Sequence, residues 1–232
     1  MPLRELAQRR NTLHHKSDPQ TILRHVLQDV QIGQVALVSS FGADSVVLLH
    51  MISEIDRTTP VIFLDTLMLF RETLRYQRDV SEALGLRDVR IIRPDTTKLI
   101  HGDVDCLLHQ SNPDGCCALR KTEPLTQALE GFGGWITGRR RGQGKTRDAL
   151  PLFELADRKI KINPLVNWGA DQIAAYIADH DLPRHPLVAK GYASLGCRPC
   201  TTPVGENEDP RAGRWRGQEK TECGIHFPRS RS

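Results

Sequence analysis

The sequence predicts an α/β fold in which a parallel sheet carries helices on both faces. Two observations carry the prediction. Short apolar runs alternate with longer segments of helical spacing, and each run ends in a cluster of small or polar residues. Alternation of this kind is the signature of βαβ units, whose ligand site lies beyond the carboxyl ends of the strands. The polar motifs of this chain fall at that edge. Its 232 residues, 39% of them hydrophobic, suffice for one large or two small domains with an ordinary core. The longest apolar run, Val46 to Ile52, is broken by His50 and is far shorter than the roughly 20 residues that span a bilayer.

The first thirty residues space Leu3, Leu6, Leu13, Ile22, Leu23, Val26 and Leu27 as two helices interrupted at Asp18-Pro19. Val35 to Val38 is then a strand, Ser39 to Ser45 a tight polar turn, and the apolar stretch after it a helix. Val61-Ile62-Phe63-Leu64 ends at Asp65-Thr66, Val89-Arg90-Ile91-Ile92 at Arg93-Pro94-Asp95, and Trp135-Ile136-Thr137 at Gly138. These make four buried strands. Asn167 is placed to cap a helix carrying Ile173, Tyr176 and Ile177 that stops before Pro183. From Thr201 the aliphatic pattern dissolves, which predicts a mobile arm ending in Glu222-Cys223-Gly224-Ile225-His226. The expected organisation is a helical segment at 1–30, one domain at 31–200 and a flexible arm at 201–232.

Six cysteines fall as Cys106, the tandem Cys116-Cys117, the pair Cys197 and Cys200, and Cys223. Four thiolates suit either zinc or an iron–sulfur cluster, and Cys-x-x-Cys supplies two of them from one turn. Three disulfides are the alternative. The sequence opens without a signal-peptide pattern, and a chain of this size needs no staples, so free thiols in a reducing cytoplasm are expected. Cys223 then stands apart as a working thiol, and Cys106 fits no motif and is expected to be buried or incidental.

The net charge is only +4, yet Arg139, Arg140, Arg141, Lys145 and Arg147 crowd into nine residues and Arg211, Arg214, Arg216 and Lys220 into ten. Solvated surface, a nucleic-acid patch and an anion clamp all fit such runs, although aromatic interleaving is sparse outside Trp215. The turn Ser39 to Ser45 offers small residues and exposed amides at a helix start, a cradle for phosphate. It lacks the Gly-Lys-Ser/Thr of a Walker loop.

Several motifs in one order carry a family resemblance. They are Ser39-Ser40-Phe41-Gly42-Ala43-Asp44-Ser45, Phe63 to Thr66 with Phe70 to Leu74, Cys116 to Lys121, Gly138-Arg139-Arg140, Gly191 to Cys197 with Cys200, Arg211 to Trp215, and Lys220 to His226. From about residue 35 to 226 the chain resembles the assimilatory adenylyl-sulfate reductases. The resemblance implies an adenine-nucleotide alpha-hydrolase-like fold of the PP-loop type and a 4Fe-4S cluster on Cys116, Cys117, Cys197 and Cys200. It implies reduction of adenosine 5′-phosphosulfate to sulfite and AMP through an S-sulfocysteine on Cys223, with thioredoxin, or else glutaredoxin, as reductant. Matching motif positions assigns catalysis to Cys223, His226 and Lys121, the anion clamp to Arg140, Arg141, Arg211 and Arg214, and the nucleotide wall to Ser39, Gly42, Ser45, Leu64 and Thr66. It implies a cytoplasmic enzyme of sulfate assimilation, with neither nucleic-acid nor membrane partner and room for a homo-oligomer.

The chain also departs from the pattern. Relatives usually carry glycine where Leu67 stands, often proline at Arg71, and often asparagine at His185. The rivals are the 3′-phosphorylated substrate, or use of both nucleotides; a PP-loop tRNA-thiolation enzyme, whose Ser-Gly-Gly-x-Asp-Ser loop Ser40, Phe41 and Ala43 spoil; and a zinc-stabilised nucleic-acid-binding module.

Overall fold

The computed structural model describes residues 1–144 and 147–226; Lys145 of the basic run lies outside the described residues. Helix α1 (Leu3–Leu13) is followed by α2 (Pro19–Gln28), whose start is set as its sequence predicts. Asp18 Oδ1 accepts the Thr21 amide at 2.9 Å, and Pro19 occupies the first turn, where a missing N–H costs nothing.

Strands β1 (Val35–Val38), β2 (Val61–Leu64), β3 (Val89–Ile92) and β4 (Gly134–Ile136) form where expected, separated by α3 (Ser45–Ile55), α4 (Arg71–Ala83) and a run of short helices, α5 (Thr96–Gly102), α6 (Leu108–Ser111), α7 (Pro113–Cys117) and α8 (Glu123–Ala128), but β3 lies at the sheet edge and is not buried as expected, with Ile91 exposed. Two strands went unpredicted, β5 (Phe153–Ala156) and β6 (Lys159–Ile162); α9 (Ala170–Asp179) follows them. The six strands lie in the order β3-β2-β1-β4-β6-β5, all neighbours parallel except β5 and β6. From β1 the chain runs outward through β2 and β3, then returns to the other side of β1 as β4. That reversal opens a crevice beyond the carboxyl ends of β1 and β4, where ligands of such sheets bind.

Alternation along the strands fills both faces. Val35, Leu37, Phe63, Ile136, Ile160 and Ile162 join one apolar cluster with α1, α2, α3 and α9. Ala36, Ile62 and Trp135 join Leu125, Leu129 and Phe132 in the other. Gly133 is required by packing, since a Cβ there would stand 1.6 Å from the Ile32 carbonyl oxygen.

The β5–β6 hairpin turns on Asp157 and Arg158 with φ of 47° and 65°, a left-handed pair that matches the strand twist. Helix α9 carries Ile173, Tyr176 and Ile177 as expected, but Asn167 is not its cap. Gly169 is, with its amide donating to Gln172 Oε1 at 2.9 Å, while Asn167 accepts from Arg141 Nη1 at 2.7 Å.

Leu67 adopts a φ of 60°, the left-handed region that glycine enters freely, and its side chain is exposed. Its amide donates to Asp65 Oδ1 at 3.1 Å, which fixes the turn. Left-handed backbone costs an L-residue about 1–2 kcal/mol, partly offset by glycine's freedom in the unfolded chain. Leu67→Gly is therefore expected to stabilise the protein by about 0.5–1 kcal/mol, read as a rise in the urea midpoint. A lower midpoint would show that the turn is unstrained.

His185 is buried between α4 and the segment after α9. Its Nδ1 accepts the Leu187 amide at 3.2 Å, which leaves the proton on Nε2 to donate to Thr73 Oγ1 at 3.0 Å. Burial pulls its pKa from 6.5 down to about 4. The folded state thus binds the proton less readily than the unfolded chain. Stability is full above pH 6.5 and falls toward pH 4, by an order-of-magnitude ~3 kcal/mol from this group. His185→Asn should flatten that limb in denaturant titrations across the same window; an unchanged slope would remove His185 as its source.

Residues 201–226 fold back against the sheet edge. Thr201 bridges to Arg214, Trp215 is 3% exposed beneath the Arg214 guanidinium, and Arg216 donates twice to Glu208 at 2.8 Å. Polar bonds hold this segment where aliphatics are few.

Candidate active site

A cleft of about 310 Å³ opens at the switch point, walled by the ends of β1, β2 and β4 and by the C-terminal segment. On the β1 side, Ser39 Oγ accepts the Phe41 amide at 3.2 Å and Ser45 Oγ accepts the Gly42 amide at 2.9 Å. Phe41 stands where a pyrophosphate loop has glycine, and its φ is 46°. Its ring is wholly buried edge-on to Phe63 at 5.3 Å, packing that offsets the backbone strain. The loop feeds directly into α3, so its amides and the helix start point one way.

Cys223 lies across the cleft. Helix α7 ends on Cys116 and Cys117 and runs into one π-helical turn, Ala118–Thr122. Such turns shift the register of side chains and recur at functional sites. Here the turn brings Lys121 Nζ to 3.9 Å from Cys223 Sγ. A hydrogen bond from the Cys117 thiol, together with the charges of Lys121 and Arg214, holds the Cys223 pKa well below 9.0 against the cost of burial. Burial works against the Lys121 ammonium, but the sulfurs of Cys197, Cys223 and Cys117 outweigh it and raise its pKa.

Arginines close the remaining wall. Arg140 pairs with Asp44, and Arg214 donates to the Leu195 carbonyl at 3.0 Å, lying on the bare Cα of Gly196. Arg147 grips Glu222 with two bonds, Nε to Oε2 at 2.6 Å and Nη2 to Oε1 at 2.8 Å, and Arg211 Nη2 reaches Oε1 at 3.3 Å. Burial opposes the Glu222 charge, but these partners keep its carboxyl below the usual glutamate value. Burial and Arg147 bring Arg139 down to about 10. Buried polar atoms without a partner include Arg139 Nε, Arg140 Nε, Arg214 Nε and His226 Nδ1. A cleft with that many unmatched donors is suited to an anion carrying several oxygens.

His226 stacks parallel on Trp135 at 6.3 Å, and Lys161 Nζ lies 4.6 Å from the same ring system. Burial, with Lys161, Arg139, Arg147 and Arg211 nearby, holds the His226 pKa well below 6.5. The imidazole is neutral and can donate or accept. Lys161 is itself pulled down to about 6 by burial and Arg139.

Of the residues expected at the site, Ser39, Gly42, Ser45, Leu64, Thr66, Lys121, Arg140, Arg211, Arg214, Cys223 and His226 all line this one cleft. Arg141 does not. It is exposed and turned away, donating to the Leu150 carbonyl at 2.9 Å and to Asn167. Arg139 and Arg147 occupy the wall in its place. Glu222, which the sequence reading does not place at the site, is 5% exposed and organises two arginines. Cys106, expected to be buried or incidental, is exposed with a φ of 59°.

The expected 4Fe-4S cofactor is corrected. Cys116, Cys117, Cys197 and Cys200 do line one small pocket, but its volume is about 10 Å³, room for about one water. Among the described residues no group of three or more His, Cys, Asp or Glu side chains is disposed to hold a metal ion. The thiols are otherwise engaged. Cys197 Sγ stands 3.2 Å from Thr66 Oγ1, Cys117 is bonded to Cys223, and burial pushes Cys116 up to about 11 and Cys200 upward, which favours thiol over the thiolate that metals require.

Comparison with known proteins places the chain among relatives. The family model of the phosphoadenosine phosphosulfate reductase domain matches residues 34–203. The adenosine 5′-phosphosulfate reductase of Mesorhizobium japonicum is 49% identical over 217 residues, covering 94% of this chain and 85% of that protein. The phosphoadenosine 5′-phosphosulfate reductase of Gloeobacter violaceus is 40% identical over 201 residues, covering 83% of this chain and 82% of its own length. The phosphate complex of phosphoadenylyl-sulfate reductase from Candida auris superposes with a TM-score of 0.73 at 32% identity, covering 85% of this chain and 97% of that one.

Proposed function

The chain belongs to the phosphoadenosine phosphosulfate reductase family, and from that premise we propose that it reduces adenosine 5′-phosphosulfate to sulfite and AMP in assimilatory sulfate reduction. The observation that carries the chemistry is the placement of Cys223 Sγ beside Lys121 in an arginine-walled cleft. Its thiolate attacks the sulfonyl sulfur, the bond from that sulfur to the bridging oxygen breaks, and AMP departs with the electron pair. Cys223 is left as an S-sulfonate. A thiolate of a dithiol reductant of the thioredoxin kind then attacks Cys223 Sγ and expels sulfite, forming a mixed disulfide. The second thiol resolves it and returns Cys223 reduced. The dithiol supplies the two electrons.

Ser39, Gly42, Ser45, Leu64 and Thr66 hold the nucleotide, and Arg140, Arg211 and Arg214 with Arg139 gather the phosphosulfate oxygens. His226, neutral on Trp135, orients the anion by hydrogen bonding. The arm at 201–226 opens to admit substrate and to offer the S-sulfonate to the reductant. No helix among the described residues is long and apolar enough to cross a membrane, and free thiols fit a reducing cytoplasm.

Sulfite release with each nucleotide in turn, with thioredoxin or glutaredoxin as donor, tests the reading. Turnover on adenosine 5′-phosphosulfate is expected. A preference for the 3′-phosphorylated nucleotide would move the assignment to the activity named for the Gloeobacter relative, and sulfite from neither would overturn it.

A further inference from the structure

We propose that Glu222 is a positioning residue: its carboxylate latches the C-terminal arm to Arg147 of the sheet edge and so fixes the neighbouring thiol of Cys223 over the cleft. The role assigned to that thiol rests on the function proposed above; the latch itself does not.

Glu222 is the only buried residue described between Arg216 and His226. Its two oxygens accept four hydrogen bonds. Oε2 takes Arg147 Nε at 2.6 Å, while Oε1 takes Arg147 Nη2 at 2.8 Å, Arg211 Nη2 at 3.3 Å and the amide of Cys223 at 2.9 Å. One carboxylate therefore joins three places. Arg147 belongs to the loop after β4, Arg211 to the start of the arm's last loop, and the Cys223 amide to the reacting residue. Only an ionised carboxylate serves all of these donors, since an amide offers one acceptor oxygen and sets its own N–H groups against a guanidinium.

The arm's other ties in this stretch are weaker. Lys220, its own side chain buried, pairs with Asp114, whose side chain is 85% exposed, so one of the two charges stays in water and the tie is weaker than one buried on both sides. Without Glu222, Arg147 would be left buried beside Arg139 with no counter-charge, the costly outcome for a broken buried pair. The arm then undocks to let solvent reach Arg147.

The test uses the full chain with Glu222→Gln, Glu222→Asp and Arg147→Met. Trypsin cleavage after Arg216 or Lys220 reads arm docking without calling on catalysis. It should quicken at least about tenfold in Glu222→Gln and Arg147→Met, while the melting transition of the core stays close to wild type. Single-turnover AMP release should fall about 100-fold, with the Kd for AMP within about threefold. Glu222→Asp, which keeps the charge, should recover most of both effects. Wild-type proteolysis rates in Glu222→Gln overturn the latch. So does AMP binding that tightens more than about tenfold with the rate preserved, because Glu222 would then be a stand-in anion for the substrate. A collapse of the core transition in both variants would make the pair purely structural and also overturn it. Should wild type make no sulfite, the proposed reaction fails while the proteolysis arm still decides the latch.

Discussion

Cys223→Ser is expected to bind nucleotide as wild type does and to form no sulfite. The residues proposed to hold the nucleotide, Ser39, Gly42, Ser45, Leu64 and Thr66, lie at the end of β2, in the loops after β1 and β2 and at the first residue of α3, and none depends on the Cys223 sulfur. Serine keeps the backbone amide that donates to Glu222 at 2.9 Å, so the arm stays docked. What it loses is the nucleophile. A hydroxyl beside Lys121 stays protonated where a thiol ionises, and among the described residues no group in contact with position 223 is a general base strong enough to activate it. Wild type given adenosine 5′-phosphosulfate without reductant should release about one AMP per chain and gain one sulfonate, the burst expected of a covalent intermediate. Peptide mapping should place that sulfonate on Cys223. The serine variant should show neither burst nor adduct, a loss of at least about a thousandfold in turnover. An adduct on exposed Cys106, or sulfite production surviving in the variant, would reassign the nucleophile.

Much of this site is legible in the sequence because buried parallel strands announce themselves. Val35 to Val38 and Val61 to Leu64 are unbroken apolar runs, and the residues that follow them must be the ligand edge. The hairpin of β5 and β6 was not legible in the same way. Glu154, Lys159 and Lys161 put charge at alternate positions, which reads as a solvated face; Lys161 instead packs on Trp135 at 2% exposure, a partner brought from β4 by sheet pairing alone. The signal was there in Asp157-Arg158 between two alternating runs. Adjacent arginines are harder still. Arg139, Arg140 and Arg141 are chemically equal in a string of letters, and the backbone after β4 decides that Arg141 turns to Asn167 while its neighbours face the cleft. Cysteine spacing does bring Cys116, Cys117, Cys197 and Cys200 to one wall, yet the bonds of Cys197 to Thr66 and Cys117 to Cys223 depend on contacts across 131 residues of chain in the first case and on the docked arm in the second.

Lys121→Ala should lower kcat/KM by about 10²–10³, the size of loss seen when a donor aimed at developing charge is removed. The expectation comes from position. The π-helical turn points Nζ at Cys223 Sγ, 3.9 Å away, on the same cleft as Arg140 and Arg214. Two effects then fall on one side chain. In the proposed reaction it supports the thiolate before attack, and it neutralises charge shared between sulfur and the departing phosphate as the bond breaks. Loss of the first alone would be recovered at high pH, where the thiol ionises without help. The acid limb of the kcat/KM profile should therefore move to higher pH in Lys121→Ala, because the cation that lowers the Cys223 pKa is gone. The second effect persists above that limb as a depressed plateau. Lys121→Arg, which keeps the charge but spreads it over a planar fork, should recover part of the plateau and most of the pH shift. Near-wild-type kinetics in the alanine variant would leave Lys121 without a catalytic part, and a shifted limb with a normal plateau would confine its role to the resting thiol.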